Sequence, residues 1–145
     1  VSFSKRRDAG MQILALYAIT VTVFLALDAV MLSRVMAPLF EAHLGDAMRP
    51  NPLLTAAGLF YLAYIAGLLW LVSWPAFVAG TPMAALIGGA VIGAMAYGTY
   101  EFTNMATLKA WSWKMVVLDL SWGTLLTGFS AWSGVVLLRL FTKQA

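Results

Sequence analysis

Four long apolar runs separated by short polar stretches make up most of the chain. They cover residues 11–32, 53–74, 83–101 and 115–140. Within each run apolar residues follow one another without the strict alternation of a barrel strand. Each holds about 20 residues, and at about 1.5 Å per residue it reaches across about 30 Å of hydrocarbon. Backbone groups in lipid must find partners within their own segment, which favours helices. The pattern predicts an all-α integral membrane protein, a four-transmembrane-helix bundle forming a single membrane domain over 1–145.

Composition agrees. Of 145 residues, 62% are hydrophobic and 10% charged, with a mean hydropathy of +0.86. A soluble domain carries about 25% charged residues, so there is too little polar surface for a module bathed in water. The chain has no cysteine, which excludes disulfides, thiolate nucleophiles and cysteine-held metals. The net charge of +3 sits at the helix ends. It suits anionic lipid head groups better than nucleic acid.

The connections set the topology. Lys5, Arg6 and Arg7 precede the first run. That run is too long for the apolar core of a signal peptide, and no small-residue cleavage site follows, so a retained first span is expected. Residues 33–52 form the longest connection, interrupted by Pro38 and closed by Pro50 and Pro52. Within it, residues 39–44 are expected to form a short surface helix with Leu39, Phe40 and Leu44 towards lipid. The second run contains Tyr61 and Tyr64 and ends on the interfacial aromatics Trp70 and Trp74. Residues 75–82, with Gly80, are a turn short enough to make the second and third spans antiparallel neighbours.

The third run is rich in small residues. Gly89 and Gly93 form a GxxxG pair, and Ala90, Ala94 and Gly98 continue the four-residue spacing. Small residues let helices approach closely where lipid offers no hydrophobic drive. The third span is therefore expected to be the central helix, with Gly123, Gly128 and Gly134 of the fourth giving further close contacts. Lys5, Arg6, Arg7, Arg139 and Lys143 lie on one side of the membrane, and Arg34, Arg49, Lys109 and Lys114 on the other. The basic tail ahead of the first span predicts both termini in the cytoplasm.

Candidate chemistry gathers around residues 99–119, TYEFTNMATLKAWSWKMVVLD. Asp28 near the end of span one, Glu101 at the end of span three and Asp119 one turn inside span four all lie towards the first and third connections. They share one depth, which the orientation places at the periplasmic edge. Tyr97, Glu101 and Asn104 fall on one helical face, Tyr100 pairs with Asn104, and Asp119 shares a face with Trp122 and Gly123. Turned inward, these groups would build a polar pocket under an aromatic rim. Arg34, Lys109 and Lys114 are expected to neutralise it.

Three readings compete. The acids can be structural glue, locking the bundle through hydrogen bonds or ion pairs. They can form a binding or transport site for a cation, proton or small polar ligand. Or one can act as general base on a lipid-linked substrate. His43, with Glu41 and Asp46 nearby, reads as a solvated loop, and the Glu-x-x-His pairs of a di-iron bundle do not occur. There is no P-loop, dinucleotide fingerprint or nucleophile elbow. Methionine-rich apolar helices read as packing. No metal and no cofactor are expected.

The stretches LDAVML, RPNPLLTAAGLFYLAYIAG, YEFTNMATLKAW and DLSWGTLL occur in that order. They resemble a family of small, predicted four-helix bacterial inner-membrane proteins known only as a domain of unknown function. Met31 stands where that family's pattern has Trp. The resemblance implies fold and a multi-pass inner-membrane location, and no activity. The leading functional expectation is a carboxylate and asparagine site binding or passing a small cation, proton or polar ligand. The alternatives are an accessory subunit of a larger membrane complex and a lipid-modifying enzyme. Expected partners are the bilayer and either a second copy or a larger complex, with no nucleic acid.

Overall fold

The computed structural model describes residues 2–143. Its helices are α1 (Ser2–Met31), α2 (Ala37–Leu44), α3 (Leu54–Leu68), α4 (Trp74–Ala79), α5 (Pro82–Thr107) and α6 (Trp113–Lys143). They join into four rods, each long and apolar enough to cross a membrane. The rods overrun the apolar runs. With 26 residues, α5 is about 39 Å long, so Glu101 lies well inside the helix and not at its end.

Two prolines explain how six helices make four rods. α1 continues into α2 through a π-helical turn, Leu32–Met36, and α3 continues into α4 through another, Leu69–Ser73. Each turn lies just ahead of a proline, Pro38 or Pro75, at the second residue of the next helix. A proline has no N–H to give the carbonyl four residues back, and its ring collides with it. Widening the ladder relieves the conflict. The Ala37 N–H bonds to the Leu32 carbonyl and the Trp74 N–H to that of Leu69, each five residues back. Both helices therefore pass through the point where sequence places a break. Trp70 and Trp74 consequently lie within a rod and do not end it.

The second rod stops at Gly80. Its φ of 72° is left-handed, where glycine is at ease. The Gly80 N–H bonds to Phe77 O at 3.1 Å and the Thr81 N–H to Ala76 O at 2.9 Å, a Schellman closure. Pro82 then opens α5, where a missing N–H does no harm. The turn is far shorter than the sequence suggests.

The most deeply packed rod is α6. Half of its most apolar stretch is buried, against 17–22% in the others. This corrects the expectation that the glycine-rich third span is central. That span instead supplies a smooth face for α6. A β-carbon on Gly89 would stand 2.8 Å from Thr127 O, and one on Gly93 would fall on the carbonyl of Gly123. From the other side, a β-carbon on Gly128 would stand 2.8 Å from Leu86 O. Gly98 is different, since its nearest neighbour would be Leu120 Cδ1 at an ordinary 3.5 Å. Gly134 admits the Thr20 hydroxyl of α1. Leu16, Phe24, Ile65, Leu126 and Val135 fill the space between the rods.

These contacts separate two glycine substitutions. Gly93→Val is expected to force α5 and α6 apart and lower stability by about 3 kcal/mol or more, at or beyond the usual cost of overpacking. Gly98→Ala is expected to change it by less than about 1 kcal/mol, with helix propensity in its favour. Thermal unfolding of the purified protein in nanodiscs checks the pair, and equal losses would contradict the assigned seam.

Candidate functional site

Three helices contribute one acid each. Asp28 near the end of α1 is 8% exposed, Glu101 of α5 is 0% exposed and Asp119 of α6 is 9% exposed. They gather at one end of the bundle. The Asp119 carboxyl lies within hydrogen-bonding reach of Glu101 and in the field of Asp28. None of the three is turned towards the surroundings.

Two indoles hold two of these acids. Trp122 Nε1 donates to Asp28 Oδ1 at 3.1 Å, and Trp111 Nε1 donates to Glu101 Oε2 at 2.7 Å. The first bond crosses from α6 to α1. The second depends on the connection between α5 and α6. After Thr107 the chain leaves the helix, and the Trp111 N–H closes a turn on Leu108 O at 3.2 Å. The Trp111 ring thereby folds back against its own hairpin. It meets Tyr100 edge-on at 5.6 Å and Phe40 of α2 at 5.5 Å. Leu39, Phe40 and Leu44 pack on the cluster of Trp111, Met115 and Val116. This corrects the expectation that α2 lies along the surface with those residues in lipid. The π-helical turn keeps α2 in line with α1 and its apolar side finds Trp111.

Beside the acids opens a cavity of about 340 Å³ between α1, α2, α3, α5 and α6. Its polar lining is Asp28, Asp119, Tyr61, Tyr64, Tyr97 and Tyr100. Its apolar lining includes Leu32, Met36, Phe40, Ala57 and Phe60. Tyr61 lies within hydrogen-bonding reach of Asp28. Tyr64 shares a hydrogen bond of 3.0 Å with Thr127 Oγ1. The Tyr97 ring lies on Gly123, where any β-carbon would collide with it. Its hydroxyl lies beside Tyr61 but makes no hydrogen bond of ordinary geometry.

Some residues singled out from sequence lie elsewhere. Asn104 is half-buried beside the Tyr100 hydroxyl and outside the cavity lining. Arg34, Lys109 and Lys114 are exposed. They do not neutralise the acids: the groups acting on Asp28 and Asp119 are an indole, a phenol and the other acids. Lys109 and Lys114 sit where α5 ends and α6 begins, and Arg34 lies on the π-helical turn within the first rod, each long enough to reach outward to head groups. His43 bonds its own helix at Leu39 O, 2.9 Å, and among the described residues no three His, Cys, Asp or Glu side chains are grouped to hold a metal.

Sequence reasoning passed over Trp111 and the tyrosines of α3 as site residues. A signal for the latter was present. Ala57, Phe60, Tyr61 and Tyr64 recur at spacings of three and four along an otherwise aliphatic helix, which puts two phenols and a ring on one face. Nothing in the sequence marks Trp111 as the partner of Glu101, because that contact needs the turn after Thr107.

Among curated proteins and among solved structures, nothing matches the chain. A family match does extend from within the first rod into the fourth, across all three acids. It covers residues 13–136, and the chain belongs to the family described as Predicted membrane protein (DUF2177).

Proposed function

We propose that the protein carries an intramembrane polar site that binds or passes a small cation, a proton or a polar ligand, near the periplasmic face of a bacterial inner membrane. The observation that carries this reading is the gathering of three buried acids at one end of the bundle, two of which, Asp28 and Asp119, line a cavity with no basic side chain in its lining. Charge inside hydrocarbon is costly. Acids kept only as glue need a base or a donor for each oxygen, since a buried charge left without a partner is strongly destabilising. Glu101 Oε1 is buried with no hydrogen bond of ordinary geometry. Two ionised carboxylates in contact repel, so the adjoining Glu101 and Asp119 make a place where one proton is shared and can be handed on. The basic tail ahead of the first rod supports the periplasmic placement.

An accessory subunit would pack against a larger complex or a second copy through the glycine-rich face of the third span, α5. Gly89 and Gly93 already meet α6 within the chain, so that face is not free to receive a partner.

Infrared spectroscopy in nanodiscs tests the shared proton. At neutral pH the wild type is expected to show the carbonyl stretch of a protonated carboxylic acid. Glu101→Gln is expected to remove it and keep the fold, because glutamine still accepts from Trp111 and can donate to Asp119. A band that survives in both Glu101→Gln and Asp119→Asn counts against the proton site. Lost folded yield with an unchanged band counts for glue. Trp111→Phe leaves a smaller aromatic ring and deletes the donor to Glu101. It is expected to cost about 1–3 kcal/mol, read as a lower unfolding midpoint, and an unchanged midpoint would show that this bond does not hold Glu101.

A further inference from the structure

We propose that the ligand of the cavity is an organic ammonium ion carrying an apolar body, with its charged head between Asp28 and Asp119 and its body among the rings and aliphatic side chains of the mouth. This rests on reading the cavity as a ligand site, and narrows it to one chemical class.

Asp28 and Asp119 are each more than nine-tenths buried and both line the cavity. Asp28 accepts from Trp122 Nε1, and Tyr61 lies beside it. Asp119 has no such support. Among the described residues no indole, phenol, amide or base donates to it, and its polar neighbour is another acid. The cavity therefore supplies acceptors and lacks a positive charge. An anion would be repelled, and a neutral ligand would leave any charge on the acids uncompensated.

The lining suits an organic cation better than a metal ion. A hard metal ion takes six or more oxygens, or keeps much of its water. No metal-binding group of three such side chains occurs among the described residues. The walls are instead aromatic. Tyr61, Tyr64, Tyr97 and Tyr100 line the cavity with Phe60, which stacks on Tyr64 at 5.9 Å and 17°. Ring faces attract a poorly hydrated ammonium, most strongly where water is excluded. They offer little to a strongly hydrated ion.

Leu32, Met36 and Ala57 also line the cavity and are suited to hydrocarbon. The volume of about 340 Å³ falls in the range of small-molecule sites, about 300–1,000 Å³. A ligand with one charged end and one apolar end matches both the acidic and the apolar lining.

Calorimetric titration of the full chain in nanodiscs, with empty nanodiscs subtracted, tests the proposal with three probes that share a benzyl group. These are benzyltrimethylammonium, its uncharged isostere neopentylbenzene, and the anion phenylacetate. The cation is expected to bind at least tenfold more tightly than neopentylbenzene, and phenylacetate is expected not to bind. Asp119→Asn is expected to weaken the cation at least tenfold and leave the isostere unchanged. Equal affinity for cation and isostere would overturn the proposal and mark the cavity as a groove for acyl chains. Preference for phenylacetate, or no heat with the cation at millimolar concentration, would overturn it as well. The comparison on the wild type needs no variant, so it stands even where Asp119→Asn does not fold. If the cation fails to bind while the protonated-acid band is still lost in Glu101→Gln, the ammonium class is wrong and the proton site is retained. Failure of both removes the site reading itself.

Discussion

The structure depends on a seam between α5 and α6 that leaves no room for a β-carbon. At Gly89, Gly93 and Gly128 the facing atoms are backbone carbonyls. In lipid, where apolar surface gains little by leaving one apolar neighbour for another, this close approach supplies dispersion contacts that hold helices together. The site is an extension of the same seam. One turn beyond Gly93, Tyr97 lays its ring on Gly123, and one turn further Glu101 reaches Asp119. The depth of the acids and the closeness of the helices are thus one fact.

Around this pair the other two rods play different parts. α1 brings Asp28 to Trp122 and seats Thr20 on Gly134. α3 is tied to α1 by the Tyr17 hydroxyl, which donates to Leu62 O at 2.8 Å, and its phenols form a cavity wall. The outward surfaces are apolar, with Leu14, Leu54, Leu59, Met95 and Leu125 exposed, as a bundle solvated by acyl chains requires. The interior is also mostly apolar, so the difference from a water-soluble domain lies in the surface, which here is apolar as well.

Much of the fold is legible in the sequence because its strongest signal, apolar length, is local. Four runs dictate four rods. The level of Asp28, Glu101 and Asp119 is legible for the same reason, since each lies a countable distance from a run's end. What is hidden depends on longer-range geometry. Pro38 and Pro75 look like breaks because a missing N–H normally ends a helix, whereas a turn of wider pitch carries each rod through. Trp111 looks like an interfacial anchor until the turn on Leu108 brings it back to Glu101. Neutralisation by Lys109 or Lys114 looks natural in a one-dimensional reading. In three dimensions both point outward, and indoles take the place a base was expected to fill.

The makeup of the α5–α6 seam also bears on suppressor genetics. Where a glycine faces a side chain, as Gly134 faces Thr20, a bulkier residue on one helix can be rescued by a smaller one on the other. Where it faces a main-chain oxygen, as Gly89 faces that of Thr127, the opposing atom belongs to every amino acid alike. No exchange at position 127 can retract it. Second-site revertants should therefore arise readily across the α1–α6 contact and scarcely at all across the carbonyl-lined part of the other.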